Sequence, residues 1–367
     1  MKIVTIVGAR PQFIKAAVVS RSIKKFNQKI NEIIIHTGQH YDSNMSDIFF
    51  KELDIPKPNY DLGIGGGTHG QNTGRMIEAI ENILLNEKPD YVLVYGDTDS
   101  TLAGAISASK IHIPIAHIES GLRSFNKKMP EEINRILTDH SSSLLFTPTQ
   151  TATQNLINEG FDSSNIFQVG DVMFDAVKYY QNFSSPPRNL NLDQKFILTT
   201  LHRAENTDNL ERIEEILDTL NEMSKVIKIV LPLHPRTKKI IENNRLNIEN
   251  IICIEPVGYL QMIWLISNSQ FIITDSGGLQ KEAYFLGKRC LVTRNETEWV
   301  ELLNNNFNIL VSANRQRIID GAELIMKNYP IFQSDFLKSN VDENLFGNGD
   351  ASSLIVNHLF TQLKELQ

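Results

Sequence analysis

Residues 115–135 read "IAHIESGLRSFNKKMPEEINR". An apolar run ends on Glu119, a short basic loop follows, and two more carboxylates, Glu131 and Glu132, stand between Arg123 and Arg135. A solvated surface does not need acids at the end of a hydrophobic segment. A site that moves protons or meets positive charge does. The same habit recurs along the chain. "KIVTIVGARPQFIK" ends an apolar run at Arg10 and Lys15, and "DYVLVYGD" ends at Asp97. "FILTTLHRAEN" ends at His202, with Arg203 and Glu205 behind it, and "IVLPLHPRT" ends at His234 and Arg236. "FIITDSGGLQKEA" ends at Asp275, Ser276, Gly277 and Gly278.

Each of these has an ordinary alternative. An acid after a strand often caps the next helix, which would account for Asp97 and Asp275. A lone histidine there is commonly a scaffold residue, and Lys15 is equally a residue of a solvated helix face. Their joint occurrence at strand ends favours function, because ligands of open α/β sheets bind beyond the carboxyl ends of the strands. "TDSGG" before a helix expected to begin near Leu279 is the best phosphate candidate. Glycine lets backbone N–H groups approach, and a helix N-terminus favours an anion. Neither a dinucleotide fingerprint nor a P-loop is present. Arg10 and Lys15 would add cationic clamps for a diphosphate, and Glu282, further along that helix, could accept hydrogen bonds from ribose hydroxyls or simply pair on the surface. Asp97, Glu119, Glu131 and Glu132 then face an electrophilic organic group. Carboxylates near a departing diphosphate stabilise oxocarbenium character and exchange protons with a neighbouring carbon. No metal motif is present, so no metal site is expected.

The elements that must position these residues alternate. Short runs rich in Val and Ile are separated by longer amphipathic ones, the pattern of parallel sheets covered on both faces. The polar "QNFSSPPRNLNLDQK", residues 181–195, interrupts the alternation, which then restarts. The expected architecture is two doubly wound Rossmann-like α/β domains facing a cleft. Residues 1–172 with 350–367 form an N-terminal domain carrying the carboxylates, and 173–349 form a C-terminal nucleotide-binding domain. A chain of 367 residues is long enough for two cores. Hydrophobic residues make up 41% and charged residues 22%, as in ordinary globular proteins. A net charge of −7 without a basic stripe argues against a nucleic-acid partner. No run is long enough to span a membrane, the apolar run before Arg10 is shorter than a signal peptide would need, so none is expected, and Cys253 and Cys290 read as buried thiols of a reducing compartment. The expected location is the cytoplasm.

The residues themselves lead to a nucleotide-sugar enzyme. Beyond that, "GARPQFIK", "HTGQHYDSNM", "VYGDTDSTLAGA", "HIESGLRS", "MPEEINR", "LHRAEN", "LHPRT", "EPVGYL" and "TDSGGLQKEA" resemble, in order, the non-hydrolysing UDP-N-acetylglucosamine 2-epimerases. The resemblance covers the chain to about residue 315. It implies a fold like that of the type-B glycosyltransferases and interconversion of UDP-GlcNAc and UDP-ManNAc for cell-surface polysaccharide precursors. It implies UDP elimination through a 2-acetamidoglucal, no cofactor, a homodimer, and the UDP-linked amino sugar and UDP as partners. By motif position it makes Asp97, Glu119 and Glu131 the catalytic carboxylates, with His202 assisting. Arg10, Lys15, Arg135, His234, Ser276, Gly277, Gly278 and Glu282 hold UDP. Glu132 has no such match and is expected to pair with an arginine.

The chain departs from the family at three places. The usual "GTRPE" is "GARPQ" here, so Gln12 replaces an acid, and the usual "TERPE" is "TEWVE", so Trp299 replaces Arg. Both changes resemble the branch that acts on UDP-2,3-diacetamido-2,3-dideoxy-glucuronate, the alternative substrate. Removing an acid beside the sugar would spare a C6 carboxylate like-charge repulsion. Third, the glutamine that serves an allosteric substrate site shortly after "QH" in many members is missing from "QHYDSNM". Three other functions keep a place: a UDP-sugar glycosyltransferase of the same fold, a hydrolysing epimerase, and a non-enzymatic nucleotide-sugar sensor. The number of acids speaks against the transferase and the sensor.

Overall fold

The computed structural model describes residues 1–26, 29–39, 53–188, 190, 195–304, 307–328 and 345–365. The missing-glutamine position after "QH" lies outside them. The chain divides into two compact units, Met1–Ala176 with Glu343–Gln367, and Val177–Asp342.

The first unit holds a seven-stranded sheet in the order β3-β2-β1-β4-β5-β6-β7. Its strands are β1 (Lys2–Val7), β2 (Asn31–His36), β3 (Tyr60–Asp61), β4 (Tyr91–Tyr95), β5 (Ile115–Ile118), β6 (Leu144–Thr147) and β7 (Ile166–Gln168). All pairings are parallel. The sheet runs outward in both directions from β1 and β4, so the strand order reverses between them. Helices Arg10–Lys25, His69–Glu87, Asp99–Lys110, Pro130–Ser141 and Ala351–Glu365 belong to this unit. The two-residue β3 is too short to show a period of two, and the sequence pattern does not reveal it.

Strands covered by helices on both faces should be apolar at every position, and β4 is buried throughout as Tyr-Val-Leu-Val-Tyr. Its partner helix Asp99–Lys110 presses close to the sheet. A Cβ on Gly104 would stand 2.6 Å from Ile6 Cδ1 and 3.1 Å from Val94 Cγ1. Gly104→Leu should therefore overpack this contact and cost about 1–3 kcal/mol, read as a lower urea midpoint. An unchanged midpoint would show that the helix can lift without penalty.

The second unit repeats the plan with six parallel strands in the order β10-β9-β8-β11-β12-β13. They are β8 (Phe196–Thr200), β9 (Lys228–Pro232), β10 (Ile252–Ile254), β11 (Ser269–Thr274), β12 (Cys290–Val292) and β13 (Asn308–Leu310). Here the order reverses between β8 and β11. Helix Leu210–Met223 packs Ile213, Ile216, Leu217 and Leu220 against Ile197, Ile229 and Phe271 of the sheet. The residues at i, i+3, i+4 and i+7 form its apolar stripe. Both sheets are the doubly wound kind that the alternation predicts. Among the described residues no helix is long and apolar enough to cross a membrane.

Candidate active site

In the first unit the reversal point lies at the ends of β1 and β4. Beyond β1 the chain turns through Gly8 and Ala9 into the helix Arg10–Lys25, with Pro11 in its first turn. Arg10 opens that helix at a half-exposed position. Gln12 does not face a sugar. It is 1% exposed, and its Oε1 accepts from Gly8 N and Ala9 N at 2.8 and 3.0 Å. Its Nε2 donates to Tyr95 O at 3.0 Å and Thr101 Oγ1 at 2.9 Å. Both ends of the amide are used, and a carboxylate could not donate to the Tyr95 carbonyl. The like-charge explanation of Gln12 is therefore corrected: the residue ties the end of β1 to the end of β4.

Lys15 lies one turn further along the helix, but not on a solvated face. It is 7% exposed and its ammonium pairs with Glu119 Oε2. Glu119 follows β5 with a φ of +73°, a conformation that non-glycine residues rarely adopt. Its N–H and that of Ser120 both donate to Phe146 O at 3.1 Å, which holds the turn. Lys15 and Glu119 lie over Gly96, where a Cβ would stand 3.1 Å from Lys15 Nζ and 3.5 Å from Glu119 Oε2. Gly96 also has a φ of +64°, so both its conformation and the space above it favour glycine. The next residue is Asp97. Thus Lys15, Glu119 and the peptide preceding Asp97 meet at one place.

Asp97 is not a helix cap; Thr98 caps Asp99–Lys110 with its own side chain. Asp97 Oδ2 accepts from Arg135 Nη1 at 2.5 Å. Arg135 also donates from Nε and Nη2 to Glu132 Oε2 at 2.9 and 2.7 Å. Glu132 accepts Ser124 N and Phe125 N as well, at 2.9 and 2.8 Å. It thus pairs with an arginine, as expected. Burial alone would raise its carboxyl, but those N–H groups and the Arg135 charge bring it below the ordinary carboxylate value. Glu131 stands half-buried in the first turn of Pro130–Ser141, one turn before Arg135 on the same helical face. Asn134 is a residue that sequence reasoning passed over. Its Nδ2 donates to Asp97 O at 2.9 Å and Asp99 Oδ1 at 3.2 Å. Asp99 Oδ2 in turn lies 2.7 Å from His69 Nδ1. The available signal was the spacing "EINR", which sets Asn134 beside the arginine in one helical turn.

In the second unit three strand ends converge. His202 follows β8 and His234 follows β9, and their ring centroids are 5.6 Å apart. His234 is exposed and its Nδ1 accepts from Arg236 N at 3.2 Å, capping the helix Pro235–Asn244. Asp275, beyond β11, is fully buried and accepts from His202 N and Arg203 N at 2.9 Å each and from Asn206 Nδ2 at 3.3 Å. It organises the turn that carries His202 and does not cap the helix that follows it, so Asp275 has a structural role other than the expected cap. His202 Nδ1 lies 3.5 Å from Asp275 Oδ1.

The helix after β11 runs Gly277–Phe285, two residues earlier than expected, because Ser276 Oγ accepts from Leu279 N at 3.4 Å and acts as the cap. The Cβ direction of Gly278 is open, whereas a Cβ on Gly277 would stand 2.2 Å from Glu298 Oε1. Burial raises the Glu298 carboxyl, but Arg294, its own backbone N–H and Arg203 bring it below its ordinary value. Trp299 is buried beside the same turn, with Lys281 Nζ 4.1 Å from its ring centroid, a cation–π contact. Glu282 is buried in the same helix. Among the described residues no three His, Cys, Asp or Glu side chains gather as a metal site would require.

The chain resembles known proteins over its whole length. The family model described as UDP-N-acetylglucosamine 2-epimerase matches residues 22–360. A UDP-2,3-diacetamido-2,3-dideoxy-D-glucuronate 2-epimerase of Pseudomonas aeruginosa is 54% identical over 98% of this chain and 99% of its own. The UDP-GlcNAc 2-epimerase of Methanocaldococcus jannaschii, solved in complex with UDP-GlcNAc and UDP, superposes with a TM-score of 0.88 at 42% identity. That alignment covers 98% of this chain and 100% of the other. A lipopolysaccharide outer core galactosyltransferase superposes with a TM-score of 0.57 at 13% identity, covering 99% of this chain and 100% of its own, and shares the fold alone. With acids and histidines at the strand ends of two doubly wound sheets and relatives of this similarity, the chain belongs to the non-hydrolysing UDP-N-acetylglucosamine 2-epimerase family and is a nucleotide-sugar 2-epimerase, an isomerase.

Proposed function

We propose that the protein inverts C2 of a UDP-linked 2-acetamido sugar by eliminating UDP and adding it back, with the first unit supplying proton-transfer groups and the second most of the nucleotide contacts. The observation that carries this reading is the arrangement over Gly96: Glu119 with Lys15 on one side, and Asp97 with Arg135 next to it in the chain. The C2 proton is not acidic in the ground state. It becomes so as the C1–O bond breaks and positive charge grows at C1. Inversion then needs proton removal from one face and delivery to the other, so more than one positioned acid or base is useful.

Asp97, Glu119 and Glu131 are the proposed proton-transfer carboxylates, with His202 assisting near the phosphates. Lys15 pairs with Glu119 and Arg135 with Asp97, and both cations are proposed contacts of the departing diphosphate. Arg10, His234, Ser276, Gly277, Gly278 and Glu282 are the remaining proposed UDP contacts. Gly278 and the helix start behind it suit a phosphate, because nothing crowds the backbone there.

Two substrates are supported by different observations. The uronate is favoured by the 54% identity to the P. aeruginosa enzyme over nearly both full lengths. UDP-GlcNAc is favoured by the family model and by the M. jannaschii structure solved with that ligand. We place the uronate first because that relative matches 98% of this chain, against 87% for a UDP-N-acetylglucosamine 2-epimerase homolog of Methanococcus maripaludis at 55% identity. Proton NMR of each nucleotide sugar with the enzyme in D₂O tests both. Deuterium at C2 with UDP still attached is the expected result. Release of free sugar would sink the non-hydrolysing reaction, and exchange confined to UDP-GlcNAc would overturn the order of substrates.

A further inference from the structure

His117 lies in the middle of β5, fully buried, at a position where a parallel strand would ordinarily carry an apolar side chain. Its ring is held from both ends. Nδ1 is 2.6 Å from Asp139 Oδ1, and Nε2 is 2.8 Å from the carbonyl oxygen of Gly96. Asp139, on helix Pro130–Ser141, is also fully buried. Its other oxygen accepts from Gly121 N at 3.1 Å and from Arg123 Nη1 at 2.7 Å. Arg123 then grips Glu159 with two bonds, Nε to Oε1 at 2.7 Å and Nη2 to Oε2 at 2.8 Å.

The proton count follows from the acceptors. A backbone carbonyl cannot donate, so Nε2 must carry a proton. Asp139 is held as a carboxylate by an arginine and a backbone N–H. An ionised carboxylate cannot donate either, so Nδ1 must also carry a proton. Both ring nitrogens then donate, and the ring is an imidazolium. His117, Asp139 and Arg123 are buried and Glu159 closes the chain at the surface; the four alternate in sign, so each buried charge has an opposite neighbour.

The atoms at which this network touches the backbone are the unusual feature. Gly96 precedes Asp97, and Gly121 follows two residues after Glu119. Gly96, Glu119 and Gly121 all have positive φ, +64°, +73° and +79°. Glycine-like turns of this kind have few intrinsic restraints, and the strained one at Glu119 persists only if its surroundings over-determine it. One ion chain, buried from His117 to Arg123, grips both turns.

From this geometry we infer that His117 is a buried imidazolium that positions Asp97 and Glu119 relative to each other, by fixing the Gly96 carbonyl directly and the Gly121 N–H through Asp139. It is a positioning residue and touches no substrate. The inference rests on the proposed roles of the two carboxylates. A glutamine could fill much of the same space, but both of its donors sit on one nitrogen and cannot span the two acceptors that the opposite edges of the imidazole ring reach. Loss of the link lets the two turns move independently, and a shift of about 1 Å in a reacting group costs on the order of 10²-fold in rate.

Two readouts test it. In protein labelled with ¹⁵N in the histidine rings, the resonances assigned to His117 by contacts with Gly96 should show a proton on both nitrogens at neutral pH. A His117 nitrogen without a proton overturns the inference. In His117→Gln, kcat for C2 exchange should fall by roughly 10–100-fold, while KM and UDP affinity stay within about threefold, normalised to UDP-binding stoichiometry. A merely structural role would lower the folded fraction and leave kcat per UDP site unchanged, and that result also overturns the inference. If His117→Gln does not fold, Asp139→Asn carries the same test. Absence of C2 exchange in the wild-type protein would strike the proposed reaction instead, and the ring-nitrogen result is read independently of it.

Discussion

Asp97→Asn should lower C2 deuterium exchange by about 10²–10⁴-fold, the usual weight of a positioned acid–base group, while leaving UDP affinity near its wild-type value. The substitution removes one charge and keeps the shape. An asparagine Oδ1 can still accept from Arg135 Nη1, which donates to Asp97 Oδ2 at 2.5 Å. The main-chain carbonyl of residue 97 still accepts from Asn134 Nδ2. The turn should therefore stay in place, and what is lost is an atom able to take or give a proton. The measurement is the rate of deuterium incorporation at C2 alongside isothermal titration with UDP. Exchange within tenfold of wild type would show that Asp97 holds Arg135 but moves no proton. Loss of UDP binding together with exchange would place Asp97 among the nucleotide's supports.

The largest effect on stability is expected at Glu132. It is 1% exposed and receives four donors: Ser124 N, Phe125 N, and the Nε and Nη2 of Arg135. Glu132→Ala leaves those donors and most of a buried guanidinium charge uncompensated. Breaking a buried pair from one side costs about 3–5 kcal/mol, read from urea unfolding at pH 7. A loss below about 1 kcal/mol would mean that water or Asp97 takes over the arginine.

The same residue makes a pH prediction. The folded-state carboxyl of Glu132 lies below its ordinary value of 4.5. Its contribution is therefore complete above that value and is lost as pH falls through the folded-state value. Glu132→Gln, which has no proton to take up, should show a shallower fall of unfolding free energy below about pH 4.5 than the wild type. Identical slopes would contradict the downward shift.

The residues that the sequence placed at strand ends are at strand ends in the structure. Asp97 and Glu119 follow β4 and β5, His202 and His234 follow β8 and β9, and Ser276 follows β11. That much is local. A strand of five residues and a helix of twelve declare themselves through runs and periods that lie within a few residues of one another. The order of these elements, with the parallel rule for such alternation, was enough to imply two doubly wound sheets.

Local pattern could not decide which side chains meet. Gln12 binds the Tyr95 carbonyl 83 residues away, because the sheet order sets β1 beside β4. The exchange of an acid for Gln12 looked like a change at the sugar and is a change in a backbone tie. Lys15 fits a solvated helix face in the sequence, and only the inward face of Arg10–Lys25 brings it to Glu119. Asp275 shares the pattern of Asp97, an acid after an apolar strand. Yet it is spent on the His202 and Arg203 amides, while Asp97 turns its carboxylate to Arg135. His117 reads as one polar letter in "IAHIES". Its two acceptors come from the turn after β4 and from the helix Pro130–Ser141, which the fold alone sets on either side of it. The sequence by itself determined which groups reach the carboxyl edges of the sheets, since that depends on position along each strand. Tertiary structure decided which of them are paired, buried or open, since a partner's charge and the exclusion of water depend on residues far away in the chain.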